Sequence, residues 1–247
     1  MAIRGILFDK DGTIIDFYEV WGTAVPPVME KLLNKYGLSE VPHIREKLLK
    51  SLGVVHGKID PEGSLAWKPY DLIAEDLLEV LGDFEGKPNA RELTEELRNG
   101  FYEEVCEKRR EYPTFTDLPV LMKTLRDMNI KIGLATTDEL ASTKICMERL
   151  GISGEISFYG TAGGILPTKP SGELILEAAK YWQIKPEQIA VVGDTPNDMR
   201  FAHNGNALGI AVLSGTGKKE DLQPFADEMI DSIDDLAALL KTINRAN

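Results

Sequence analysis

The sequence predicts a doubly wound α/β fold, a mostly parallel sheet core interrupted by a long, all-helical insertion. Three observations carry this reading. From residue 115 onward short apolar runs alternate with amphipathic stretches, the pattern of parallel strands joined by helical crossovers. A run of the same kind, "RGILFD" at 4–9, stands roughly a hundred residues before the next one. The block between them has helical periodicity throughout. The expected boundaries are therefore a core of residues 1–16 and 115–247 and an insertion of residues 17–114.

Taken in order, the first element is the strand "RGILFD", too short and too continuous in its apolar character for an amphipathic helix. The insertion follows. "WGTAVPPVMEKLLNKYG", "HIREKLLKSLG", "KPYDLIAEDLLEVLG" and "ARELTEELRNGFYEEVCEKRR" place apolar residues at helical spacing, with Gly37, Gly53 and Gly82 where helices stop. Between them "VVHGKIDPEGSLAWKPY" at 54–70 reads as a loop punctuated by Gly and Pro, suited to facing a substrate through Lys58, Ser64, Trp67 or Lys68. The sheet then resumes with "IKIGLATT" at 130–137, "ISFYG" at 156–160, "QIAVVGD" at 188–194 and "ALGIAVL" at 207–213. There are no internal repeats or low-complexity tracts.

Composition narrows the function classes. With 247 residues, of which 43% are hydrophobic and 28% charged, the chain can bury a sizeable core. A formal net charge of -12 argues against sequence-independent binding of nucleic acid or of an anionic membrane surface. No apolar stretch approaches the roughly 18 residues of a membrane span, and Lys10 with its neighbouring aspartates interrupts "AIRGILF" as a signal segment. The expected location is cytoplasmic. Cys106 and Cys146 lack metal-ligand spacing and suit a reducing compartment, while His43, His56 and His203 show no catalytic pairing and read as structural.

Ligands of doubly wound sheets sit at the carboxyl ends of strands, where the winding direction reverses. Asp9 and Asp11 follow the first apolar run, Thr136 ends the second, Lys169 follows the third, and Gly193, Asp194 and Asp198 follow the fourth. Asp9, Asp11 and Asp16 fall within eight positions, so their mutual repulsion must be offset by a metal ion, a helix cap or solvent. Each residue also has a plain structural reading. "DKDG" is good turn chemistry. Thr195, Pro196 and Asp198 suit the N-cap, first and third positions of a helix, and Asp198 fits both a cap and a site. Lys169 reads equally as a surface lysine before Pro170, and Thr136 as an ordinary strand residue. Their joint occurrence at strand ends favours one pocket.

In this order "DKDGT" (9–13), "GLATT" (133–137), "KP" (169–170) and "GDTPND" (193–198) resemble the four motifs of the haloacid dehalogenase superfamily. The likeness extends over the whole chain, and "SGTG" at 214–217 further resembles the phosphoglycolate phosphatase branch. It implies a Rossmann-like core with a helical cap domain, and Mg2+-dependent hydrolysis of a small phosphorylated metabolite, phosphoglycolate favoured, through an aspartyl phosphate. On that resemblance Asp9 is the nucleophile. Asp11, two residues on, is the acid and base, protonated when substrate binds, and its backbone carbonyl ligates the metal. Asp9 and Asp194 are direct metal ligands, and Asp198 holds a metal-bound water or orients Asp194. Lys169 and Thr136 complete the catalytic set; Gly12, Thr13, Thr136, Thr137 and Lys169 form the implied substrate-binding set. Thr137 and Asp138 depart from the pattern, since Asn commonly follows the motif Thr and a basic or neutral residue stands at the next position. Asp138 is therefore also expected to cap the helix "ELASTKICMERLG".

Other functions share the scaffold. A mutase resembling β-phosphoglucomutase uses the same aspartates but returns the phosphoryl group to a sugar. Asp11 speaks against a dehalogenase, whose branch lacks that acid. A phospho-aspartate receiver is much shorter and has no helical insertion, and a non-catalytic phosphate-binding module has less reason to keep both Asp9 and Asp11.

Overall fold

The structure is a computed structural model that describes residues 2–60, 62–109 and 111–246. The chain divides into two compact units, Met1–Phe17 with Glu111–Asn247, and Tyr18–Arg110. Its first strand, β1 (Gly5–Phe8), is buried along its whole length. Helix α1 (Phe17–Lys35), all but its first residue in the second unit, is followed by α2 (Ile44–Ser51), the short strands β2 (Val54–Val55) and β3 (Lys58–Ile59), and helices α3 (Ser64–Trp67), α4 (Tyr70–Leu81) and α5 (Ala90–Phe101). A π-helical stretch, Tyr102–Lys108, continues α5. Back in the first unit come α6 (Leu118–Asp127), β4 (Lys131–Glu139), α7 (Leu140–Arg149), β5 (Phe158–Ala162), α8 (Glu173–Trp182), β6 (Ile189–Gly193), α9 (Pro196–Asn204), β7 (Leu208–Val212), α10 (Lys219–Leu222), β8 (Glu228–Ile230) and α11 (Leu236–Ala246).

In the α/β unit the strands form one sheet in the order β5-β4-β1-β6-β7-β8, each pair parallel. From β1 the chain winds outward to β4 and β5, then returns to β6 on the other side and winds to β8. The reversal lies between β1 and β6, so Asp9 and Asp194 follow the two strands that flank the switch point. Both strands are apolar at every position and buried on both faces, as strands covered by helices on each side must be. Helix α8 lays Leu174, Ile175, Ala178 and Trp182 onto Leu7 and Val191, with Phe201 and Ala202 of α9 in the same cluster. A Cβ at Gly5 would meet the Trp182 ring at 2.8 Å, so the indole lies directly on the β1 backbone. Its Nε1–H donates to Ser157 Oγ at 2.9 Å.

The Tyr18–Arg110 unit is built around aromatic contacts, with the ring of Phe101 5.2 Å from Trp21 and stacked 5.8 Å from Tyr70. Ile73, Leu77, Leu93 and Leu97 are buried with them. Asn89 and Glu92 close a capping box at the start of α5. Two features depart from the expected elements. The stretch read as a loop at 54–70 contains the short helix α3 and the antiparallel pair β2–β3, because His56 and Gly57 adopt positive φ (52° and 76°) and make a tight hairpin turn between Val55 and Lys58. The core sheet gains β8, whose three residues are too few to show a period. Among the described residues, no helix is long and apolar enough to cross a membrane.

Candidate active site

β1 ends at Phe8, and the next backbone N–H, that of Asp9, donates to Val192 on β6 at 2.8 Å. The sheet thus delivers the Asp9 carboxylate beside the end of β6, where Gly193 and Asp194 follow. After Asp9 the chain turns sharply, with the Ile14 N–H bonded to the Lys10 carbonyl and the Gly12 N–H to that of Ile15. Gly12 has φ 87°, and a Cβ there would stand 2.2 Å from Asp194 Oδ2. Only glycine allows this turn to lie against that carboxylate.

Asp9, Asp194 and Asp198 are buried, and each presents an oxygen within 4.8 Å of the other two. Lys169, also buried, reaches them from the loop after β5; its Nζ donates to Asp9 Oδ1 at 2.5 Å and to Asp198 Oδ1 at 2.6 Å. The other oxygen of Asp198 accepts from the N–H (3.0 Å) and hydroxyl (2.6 Å) of Thr195, closing a capping box at the start of α9. Asp198 therefore serves as helix cap and pocket residue together. Asp194 is fully buried. Its Oδ2 accepts from the N–H (2.7 Å) and hydroxyl (2.8 Å) of Thr216, and its Oδ1 from the hydroxyl of Thr13 (3.2 Å).

Thr136 is buried near the end of β4, and its Oγ1 accepts from the Asp138 N–H at 3.1 Å, which leaves the O–H to donate. Thr137 is half-buried beside it. The Asp11 carboxylate lies outside the three-carboxylate group. It pairs instead with Lys10, whose Nζ is 2.6 Å from Asp11 Oδ2 and 3.3 Å from Asp138 Oδ2. The Lys10 ammonium beside Asp11 is itself buried. Asp138 Oδ1 accepts from the Glu139 N–H and the Ser142 hydroxyl, each at 2.7 Å, at the start of α7. Ser64 and Lys68 both bond Asp76 within the helical unit, and Trp67 is partly exposed.

Electrostatics follow from this crowding. Burial pushes the Asp9 carboxyl well above the usual carboxylate range; the Lys169 ammonium opposes this, and Asp198 and Asp194 add to it. Burial, then the neighbouring Asp198, raises Asp194 to about 6 against the Thr216 N–H and hydroxyl. Burial would lower both ammonium groups, but Asp198 and Asp9 hold Lys169 above its ordinary value, and Asp11 and Asp138 do the same for Lys10. The cluster carries more negative charge than Lys169 balances. Hard carboxylate oxygens, close together, buried and under-neutralised, are a donor set that fits a small divalent cation such as Mg2+.

Three contributors were not singled out as site residues from the sequence. Thr216 and Gly215 sit in "SGTG", a stretch equally at home as a plain turn; a Cβ at Gly215 would lie 2.4 Å from Asp194 Oδ2. Lys10 was visible only as a charge beside the aspartates, and nothing local to it points to Asp138.

The chain is similar to known proteins over nearly its whole length. The chain is 25% identical to the pyrophosphatase PpaX of Bacillus cereus over 253 residues, covering all of both chains. It is 26% identical to a phosphoglycolate phosphatase of Salmonella choleraesuis over 251 residues, 96% of this chain and 92% of the relative. A crystal structure of β-phosphoglucomutase from Clostridium difficile shares the fold, with a TM-score of 0.69 and 22% identity over 99% of this chain and 98% of that one. A family model described as haloacid dehalogenase-like hydrolase matches residues 3–206. That span runs from β1 through α9 and takes in Asp9, Lys169, Asp194 and Asp198, and the chain belongs to the haloacid dehalogenase-like hydrolase family.

Proposed function

We propose that this hydrolase is a magnesium-dependent phosphatase of small phosphorylated metabolites, phosphoglycolate first among them, acting through an aspartyl phosphate on Asp9. The observation that carries the reading is the buried group of Asp9, Asp194 and Asp198, with Lys169 bonded to the first and third. Within the proposal the α/β unit carries the chemistry and the helical unit the selectivity.

Lys169 holds Asp9 Oδ1, which orients the carboxylate and leaves Oδ2 for in-line attack on phosphorus. As the new O–P bond forms, the bond to the leaving oxygen breaks, its electron pair goes to that oxygen, and the Asp11 proton follows. Water then splits the acyl phosphate, with Asp11 taking a proton from it, so the enzyme returns to its starting state. The Thr136 hydroxyl and the backbone around Gly12 and Thr13 bond the phosphoryl oxygens. Asp9, Asp194 and the Asp11 backbone carbonyl would hold Mg2+, with Asp198 behind them, and the ion when bound supplies positive charge against the phosphoryl oxygens. Thr13 and Thr216 fix Asp194, and Thr195 fixes Asp198, so these ligands are held before any cation arrives.

The test is phosphate release from phosphoglycolate, glycerol phosphate, sugar phosphates and pyrophosphate, with and without magnesium, for the wild type and Asp9→Asn. Preference for phosphoglycolate, lost without metal and reduced at least about a thousandfold in the variant, supports the reading. Preference for pyrophosphate moves the substrate toward that of the Bacillus relative. Isomer interconversion of a sugar phosphate replaces hydrolase by mutase. Absence of turnover across the panel with magnesium present overturns the proposal.

A further inference from the structure

Lys10 stands between the two aspartates of "DKDG", and its side chain, only 1% exposed, is among the most deeply buried charges in the molecule. A buried ammonium is strongly unfavourable unless carboxylates compensate it closely. Two do so here. One is Asp11, at 2.6 Å; the other is Asp138, at 3.3 Å, which reaches across from the end of the neighbouring strand β4. Asp138 is itself held by the Glu139 N–H and the Ser142 hydroxyl, so the anchor is rigid before Lys10 meets it.

The parallel register of β1 and β4, with Phe8 opposite Leu134, brings the two strand ends side by side. From this anchor the contacts run Ser142 to Asp138, Asp138 to Lys10, and Lys10 to Asp11. Backbone bonds of the turn after Asp9 fix the main chain at Lys10, Gly12, Ile14 and Ile15, but a main-chain bond does not by itself choose the rotamer of Asp11. A hydrogen bond from an immobilised ammonium to Asp11 Oδ2 does, and it persists when the carboxyl carries its proton on the other oxygen. Proton transfer depends steeply on such placement, because donor and leaving oxygen must lie within hydrogen-bond reach at the moment of cleavage.

We propose that Asp138 and Lys10 form a positioning pair that fixes the Asp11 carboxyl for proton delivery to the leaving oxygen, neither touching the substrate. This rests on the phosphatase reading of Asp9 and Asp11. It assigns the departure at position 138 a purpose beyond capping α7.

Leaving-group dependence separates positioning from general damage. A 4-nitrophenyl leaving group departs as a stable anion and needs little protonation; the alkoxide of glycerol phosphate needs it fully. The kcat/KM of each ester, measured with magnesium for the wild type, Asp138→Asn and Lys10→Met, gives the ratio alkyl over 4-nitrophenyl. The expected result is a ratio lowered about tenfold or more in both variants, carried by kcat and not by KM. Asp138→Asn keeps the shape and one acceptor of the side chain, so it remains informative if Lys10→Met fails to fold. A ratio within about twofold of wild type in folded Asp138→Asn overturns the inference, whether both esters slow together or neither does. A wild type inactive on both esters overturns the phosphatase reading itself, a result distinct from an unchanged ratio.

Discussion

A methyl group at position 215 would lie 2.3 Å from the Gly12 carbonyl oxygen and 2.4 Å from Asp194 Oδ2, so Gly215→Ala has nowhere to go except against a buried carboxylate. The expected cost is about 1–3 kcal/mol of stability from overpacking, read by chemical denaturation, with phosphatase activity falling further than stability because Asp194 is displaced. Lys169→Met strands Asp9 and Asp198 without their shared cation. Breaking such a buried pair costs about 3–5 kcal/mol, so the metal-free variant should melt well below the wild type, and added magnesium should recover part of the loss. Asp194 gives a pH dependence whose sign is fixed. Its folded value of about 6 lies above the ordinary 3.8, so the folded state binds the extra proton and stability from this group falls as pH rises between those two values. In EDTA the melting temperature of the wild type should therefore drop relative to Asp194→Asn between pH 4 and pH 6.5. Parallel melting curves for the two across that range would contradict the shift.

At the scale of elements, the sheet works as a positioning device because β1 and β6 are short, apolar and covered on both faces. Trp182 is the largest contributor from α8. It lies on Gly5, meets Phe158 edge-on at 5.9 Å and bonds Ser157. Trp182→Ala should cost about 3–5 kcal/mol and broaden the thermal transition, since the strand carrying Asp9 loses its cover. These strands were legible as continuous apolar runs bounded by polar residues, and each of the five expected runs falls on a strand. The β8 strand was not legible. Glu228, Met229 and Ile230 pair with β7 only because the sheet edge is there to receive them.

For the whole molecule, the formal net charge of -12 makes the pocket's excess of carboxylate a local instance of a general surplus, and a cation is the natural relief. Magnesium at about a hundred times its dissociation constant should stabilise the fold by about 2.7 kcal/mol, and so raise the melting temperature by about 5–10 °C. Differential scanning fluorimetry reads this directly, and Asp9→Asn with Asp194→Asn should abolish the shift.

By itself the sequence determined the layout of strands and helices, the interruption after the first strand, and the identity of the acidic residues and the lysine at the strand ends. Period and punctuation are local properties of the chain, and the side chains in question stand directly behind the apolar runs that announce them. Only the tertiary structure decided the partners. Asp138 meets Lys10, Thr216 and Thr13 meet Asp194, and Lys169 bridges Asp9 and Asp198 because of the order of the strands and the close approach of their loops. Those residues are separated by anything from 22 to 181 positions, or lie on neighbouring strands, and no local pattern encodes which carboxylate a buried ammonium will find. That choice belongs to packing, where an unpaired buried charge is too costly to persist.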